Sequence, residues 1–209
     1  MPTRLSKIDE LTRPDHTFLE TGDECYYLGE YTARRGFSFS ATNALINNLR
    51  KPVARRGRPE WKWKEWAISR SAALLREAMN PAWLEKTTIV PVPPSAVRGS
   101  RYFDDRLLRI LQEFSRDLRT DFRELVVMTQ GVEPSHLSGI RTSIEELIEC
   151  MAVNDAVSAP TPASIAIFDD VLTTGRHFKA VESVLRARFP GLPIVGIFIA
   201  RRVPESSPI

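Results

Sequence analysis

Cysteine is scarce in this chain: 209 residues carry two, Cys25 and Cys150. They stand far apart and form no metal-ligand spacing, so a disulfide framework is not expected and free thiols in a reducing compartment are. Long apolar runs are missing as well. None approaches membrane-spanning length, and the opening M-P-T-R-L-S-K-I-D-E has no apolar centre of the kind a secretory leader needs. There are no internal repeats and no low-complexity tract. A cytoplasmic protein without membrane association is the expectation. Charge of one sign is not in marked excess: a net +3 and a pI near 9.0 allow an anionic ligand or nucleic acid but demand neither. What is present is ordinary globular material, 43% hydrophobic and 26% charged, enough for one domain or one domain with a small appendage.

The most informative stretch is Ser164–Phe178, S-I-A-I-F-D-D-V-L-T-T-G-R-H-F. Ile165, Ala166, Ile167 and Phe168 have no polar face and predict a strand buried on both sides, ending at Asp169 and Asp170. A Thr173-Thr174-Gly175 turn and a segment with helical spacing follow. Carboxylates accept hydrogen bonds from a sugar diol, and a Gly-containing turn at a helix N-terminus presents N–H groups and hydroxyls to a phosphate. The pattern points to a sugar-phosphate site.

Elsewhere, Cys25–Leu28 is a short candidate strand, followed by a turn-rich Gly29–Gly36 and a helix capped by Ser40 that stops near Pro52. Arg50, Lys51, Arg55, Arg56, Arg58, Lys62 and Lys64 interleave with Trp61, Trp63 and Trp66. Such a mixture either binds single-stranded nucleic acid or is a solvated basic loop entering a helix with partly packed tryptophans. Ile89, Val90 and Val92 form a second buried strand, and the prolines beyond it stiffen a loop carrying Ser95, Ala96, Arg98 and Arg101. Phe103, Leu107, Ile110, Leu111 and Phe114 make an amphipathic helix, whose Asp104 and Asp105 suit the helix dipole. Leu125–Met128 is a third strand, 129–141 a mobile loop, and Thr142/Ser143 with Glu145/Glu146 a helix start. Ile194–Ala200 is the last strand. The alternation predicts an α/β fold, a parallel sheet flanked by helices. We divide it into a small N-terminal subdomain, 1–60, and a main α/β domain, 61–209.

Ile165–Gly175 resembles the phosphoribosyl pyrophosphate (PRPP) motif of the type I phosphoribosyltransferases. Pro91–Ser95, Asp105-Arg106 and the Arg141 segment are similar to its ComF-like branch, which is associated with DNA uptake. The likeness covers about residues 87–200. It implies that Asp169 and Asp170 bind the ribose hydroxyls and that Thr173, Thr174 and Gly175, with Arg176 and His177, receive the 5′-phosphate. It implies too that Ser95, Ala96 and Arg98 border the pyrophosphate, and that Mg²⁺ is held mainly by PRPP. The activity implied is displacement of pyrophosphate at ribose C1 by a nitrogen nucleophile. Homodimers are common in that family. His177 stands where a hydroxyl is usual, the 129–141 loop has no lysine, leaving Arg141 and His136 as its basic candidates, and the branch's zinc-ribbon cysteines are missing. These departures keep an alternative open: a non-catalytic PRPP- or nucleotide-sensing protein that binds nucleic acid or a protein partner through Arg55, Arg56, Arg58, Lys62 and Lys64.

Overall fold

A computed structural model describes residues 4–131 and 143–204 of the protein. Its first strands are β1 (Ser6–Lys7) and β2 (Cys25–Thr32), followed by the helices α1 (Ala41–Leu49), α2 (Lys62–Ala78) and α3 (Pro81–Leu84). Then come β3 (Thr88–Pro91), α4 (Arg106–Phe114), β4 (Asp121–Phe122), β5 (Val126–Met128), α5 (Ile144–Glu149) and β6 (Met151–Val153). The chain closes with β7 (Ile165–Leu172), α6 (Arg176–Arg188) and β8 (Ile194–Val203). Among the described residues six strands form one sheet in the order β1-β2-β8-β7-β3-β4, parallel throughout except for β1 on β2. The expected α/β fold with a mostly parallel, helix-flanked sheet is therefore present.

The apolar run Ile165–Phe168 does make the central strand, because β7 is hydrogen-bonded on both edges, to β3 and β8, and its first four residues are buried. It does not stop at the acids. Pairing with β8 continues to Leu172, so Asp169 and Asp170 are strand residues with side chains on opposite faces. Both edge strands of the sheet, β1 and β4, are two residues long, which leaves little exposed ladder for another chain to join.

Several expectations need correction. β2 runs through Thr32, where a turn was expected from Gly29, because it pairs with β8 as far as Val203. The turn comes later. There Asn43 of α1 donates to the Thr32 and Arg35 carbonyls while its amide oxygen accepts from Thr32 N–H. β5 is not in the main sheet; it pairs antiparallel with β6 as a separate ribbon. Within the segment 1–60, β2 lies in register along β8, and α1 packs on both β2 and α2. The Ser40 cap on Asn43 N–H and the Ser143/Glu146 capping box are as expected. His136, Arg141 and most of the 129–141 loop lie outside the described residues.

The crossovers decide where a ligand can enter. From β3 the chain passes through α4 to β4 on one side, and from β7 through α6 to β8 on the other. Right-handed connections place α4 and α6 on opposite faces, so the loops leaving β3 and β7 diverge and open a crevice at the strands' carboxyl ends.

The core is tight around Gly196 of β8. A Cβ there would meet the Phe198 ring at 2.7 Å, Cys25 Sγ at 2.9 Å and the Phe178 ring at 3.1 Å. Gly196→Ala is expected to cost about 1–3 kcal/mol by overpacking. Urea unfolding measures this directly, and an unchanged midpoint would show that the two rings give way freely.

Candidate functional site

The crevice between β3 and β7 is a cavity of about 1020 Å³. It is lined by Pro91–Ala96, by Asp169, Asp170, Thr173 and His177, and by Arg50, Pro52, Val53, Tyr102, Arg106 and Leu107. Expected residues from both motifs therefore line one space. Arg98 does not: its guanidinium turns to Glu124, 2.5 and 2.6 Å from the two carboxylate oxygens. Thr174, Gly175 and Arg176 are not in the lining either; Arg176 begins α6 with its guanidinium over the Phe18 ring at 5.0 Å.

The Thr-Thr-Gly turn is held in a defined shape by its own backbone and by residues 16–19. Gly175 has φ +85°, a left-handed conformation, and a Cβ on it would lie 2.9 Å from Leu19 Cδ2. Residues 16–19 brace the turn from behind. His16 Nδ1–H donates to the Thr173 carbonyl at 2.5 Å, and Phe18 N–H donates to the Thr174 carbonyl at 2.9 Å. These bonds occupy both carbonyls, and the N–H groups of Thr174 and Gly175 are free of acceptors among the described residues. They stand at the positive end of α6, where the first-turn N–H groups also lack intrahelical partners. His16 is fully buried, and burial holds its pKa below the ordinary value, which keeps the imidazole neutral and the carbonyl-donating tautomer in place.

The two acids of the motif play different parts. Asp170 is completely buried and saturated with cations. Its Oδ1 accepts from Arg50 Nη2 at 2.5 Å, and its Oδ2 from Arg50 Nε at 3.0 Å and Arg106 Nε at 2.8 Å. Burial alone would raise its pKa, but the Arg106 and Arg50 guanidiniums outweigh that and hold the carboxyl well below the usual range. Asp169 is half-buried and, among the described residues, accepts only from the Asp170 backbone N–H at 2.7 Å. Burial and the Asp170 charge raise its pKa to about 7. Strongly perturbed carboxyls in a cleft are a mark of functional sites. His177 reaches the pocket rim, where desolvation and then the Arg176 and Arg50 charges lower its pKa, so its ring is neutral at pH 7.

Behind Asp170 lies a chain of charges that the amino-acid pattern does not reveal. Arg106 Nη1 donates to Asp104 Oδ2 at 2.9 Å, and Lys64 Nζ donates to the same oxygen at 2.7 Å and to the Lys51 carbonyl at 2.9 Å. Lys64 is fully buried, so it is not part of a nucleic-acid surface. Arg50 is 37% exposed, but its guanidinium is bonded to the buried Asp170. Of the remaining basic residues in that stretch, Arg55 pairs with Glu60 at 3.1 Å and Arg56 with Asp105 at 3.8 Å, while Trp63 and Trp66 stay half-exposed in edge-to-face contact. Asp104 was expected only to complement the helix dipole. In fact it bridges Lys64 to Arg106. The cue available in the sequence was the Asp-Asp-Arg start of α4, and nothing there identified its partners.

No protein-family model matches this chain, and no curated protein matches its sequence. The site must be judged on its own geometry. Among the described residues no helix is long and apolar enough to cross a membrane.

Lys64→Met removes a buried cation and leaves Asp104 with Arg106 alone. Breaking a buried pair in this way is expected to cost about 3 kcal/mol, read as a lowered denaturant midpoint. A variant as stable as the parent would mean that the lysine adds nothing net.

Proposed function

We propose that the protein is a PRPP-dependent phosphoribosyltransferase, acting in the type I manner on a nitrogen nucleophile. The observation that carries this reading is the pairing of an unsaturated pocket carboxylate, Asp169, with a glycine-containing cradle at the N-terminus of α6, at the point where the sheet's crossovers reverse. The 5′-phosphate would sit against the N–H groups and hydroxyls of Thr173–Gly175. Asp169 would accept from the ribose hydroxyls, and Ser95 and Ala96 would border the pyrophosphate. The chain's own contribution is to align acceptor and ribose C1, to neutralise the departing charge, and to keep water out. Asp170 orients Arg50 and Arg106 within the lining of the pocket.

The donor set fits Mg²⁺. Asp169 is an oxygen ligand, and no group of three or more His, Cys, Asp or Glu converges on one point among the described residues. An ion here would take most of its ligands from the substrate, as Mg²⁺ does. Asp169 would help to hold such an ion, which would supply charge neutralisation for the pyrophosphate.

One observation favours a second reading, a non-catalytic PRPP or nucleotide sensor. Asp170 has no free oxygen for a ribose hydroxyl. Tight PRPP binding without pyrophosphate release from any acceptor would decide for the sensor.

Calorimetry with PRPP and Mg²⁺, followed by pyrophosphate release against a panel of nitrogen heterocycles and amines, tests the proposal. Asp169→Asn is expected to weaken PRPP about tenfold or more, because a charged acceptor is lost. Wild-type affinity should rise with pH up to about 7 as Asp169 loses its proton, and Asp169→Asn should lose that part of the dependence. The sign for stability is opposite. A carboxyl whose folded pKa exceeds the unfolded value of about 3.9 stabilises at low pH, and its contribution fades as pH rises to about 7. Gly175→Ala strains a left-handed backbone and crowds Leu19, so it should weaken PRPP and lower stability by about 1–2 kcal/mol. Parental PRPP affinity in both variants would sink the assignment of the pocket.

A further inference from the structure

His16 is a buried polar group to which the reaction as derived gives no part. The residue is 1% exposed, and its backbone is tied on both sides: its N–H donates to the Arg13 carbonyl at 2.8 Å, and its carbonyl accepts from Leu19 N–H at 2.9 Å. Nδ1 lies 2.5 Å from the Thr173 carbonyl oxygen. A carbonyl can only accept, so Nδ1 carries the proton and Nε2 a lone pair. That second nitrogen is shut off from solvent and has no hydrogen-bond partner among the described residues. Four other buried side-chain nitrogens or oxygens are in the same condition, but each belongs to a residue that is partly exposed. An unpaired buried acceptor is destabilising, and an apolar side chain would avoid it. Stability alone does not account for an imidazole at this position.

Its local effect follows from peptide geometry. In a trans peptide the C=O and the next N–H point in opposite directions, and among the described residues the cis bond is at Ala159-Pro160, away from this turn. With the Thr173 carbonyl drawn to His16, the Thr174 N–H points away from residues 16–19. Phe18 N–H, 2.9 Å from the Thr174 carbonyl, aims the Gly175 N–H in the same way. Gly175 at φ +85° then opens α6, so the two donors run on into the free N–H groups of the helix's first turn. A proton on Nε2 instead would set a lone pair against the Thr173 carbonyl and turn that peptide over, replacing an N–H of the row with an oxygen. The ring is kept neutral by burial and by the Arg201 charge, and Arg201 is itself held by Asp15 at 2.8 Å and Glu30 at 2.6 Å.

We propose that His16 is a positioning residue for the sugar-phosphate end of the site: its Nδ1–H holds the Thr173–Thr174 peptide with the N–H outward, and a phosphate monoester is the ligand that depends on this orientation. The proposal rests on the transferase reading for the place of the 5′-phosphate. His16 touches no substrate. It acts through the turn, from 157 residues earlier in the chain.

The test uses the full chain and two probes, ribose 5-phosphate for this end of the site and inorganic pyrophosphate with Mg²⁺ for the other, each followed by calorimetry. His16→Leu, which removes the donor, should weaken ribose 5-phosphate about tenfold, the scale of one charge-assisted hydrogen bond, and change pyrophosphate less than about twofold. His16→Asn sets an amide N–H where Nδ1–H stands and should bring ribose 5-phosphate back to within about threefold of the parent. Equal loss of both probes marks a merely structural role and overturns the proposal. So does parental affinity of His16→Leu for ribose 5-phosphate, or His16→Asn as weak as His16→Leu. A measurement on the parent protein needs no variant to fold: ribose 5-phosphate should shift the Thr174 and Gly175 amide-proton resonances, and resonances that stay in place overturn the proposal. The transferase reading fails separately. PRPP bound without the amide shift keeps that reading and removes His16 from it. Ribose 5-phosphate bound with the shift, while PRPP is not bound, keeps His16 and sinks the reading. Binding of none of the three ligands sinks both.

Discussion

The fold and the site both depend on the carboxylate of Asp170. It sits on the central strand with no exposure to water, and two guanidiniums arrive from helices that follow different strands. An isolated carboxylate could not be buried there; with Arg50 and Arg106 it is more acidic than in water. Removing either cation would leave the buried carboxylate only partly compensated, which is costlier than the intact cluster is stabilising. Specific geometry, more than net stability, is what such a cluster contributes. It ties α1, α4 and, through Asp104 and Lys64, α2 to the carboxyl end of β7.

The Thr-Thr-Gly turn is held in a different way. Its shape comes from backbone conformation at Gly175 and from two hydrogen bonds that occupy the Thr173 and Thr174 carbonyls. His16 and Phe18 lie far from the turn in sequence, yet they determine which side of it is rich in donors. The two halves of the crevice thus differ in kind. One is shaped by backbone hydrogen bonds, and the other by a cluster of paired charged side chains.

Local features were legible in the amino-acid order. Four apolar residues before two acids could only be a buried strand, Ser40 and Ser143 cap helices through side chains a few residues away, and Gly175 sits where a left-handed turn is needed. Features that depend on distant partners were not. Lys64 reads as one more cation in a basic stretch, because nothing nearby says that Asp104, forty residues on, will draw it into the core. Arg50 and Arg106 are hidden for the same reason, and Arg98 looked like a pocket cation until Glu124 was found beside it. β5 was misplaced because three apolar residues fit a ribbon or a main-sheet strand equally well, and only the pairing with Met151–Val153 separates them. β2 outran its expected end because its partner strand β8 extends to Val203.

The seating of β2 against β8 has a consequence for how the chain is made. Cys25–Thr32 leaves the ribosome long before Ile194–Val203, the only long neighbour it has in the sheet. Until then it can pair with no more than Ser6–Lys7, and the brace that residues 16–19 give to the Thr-Thr-Gly turn has nothing to hold. Early and late segments close the sheet together, so the nascent protein carries an unpaired, largely apolar strand through most of its synthesis. Such distant pairing slows folding, since the loop-closure entropy precedes the contacts that offset it.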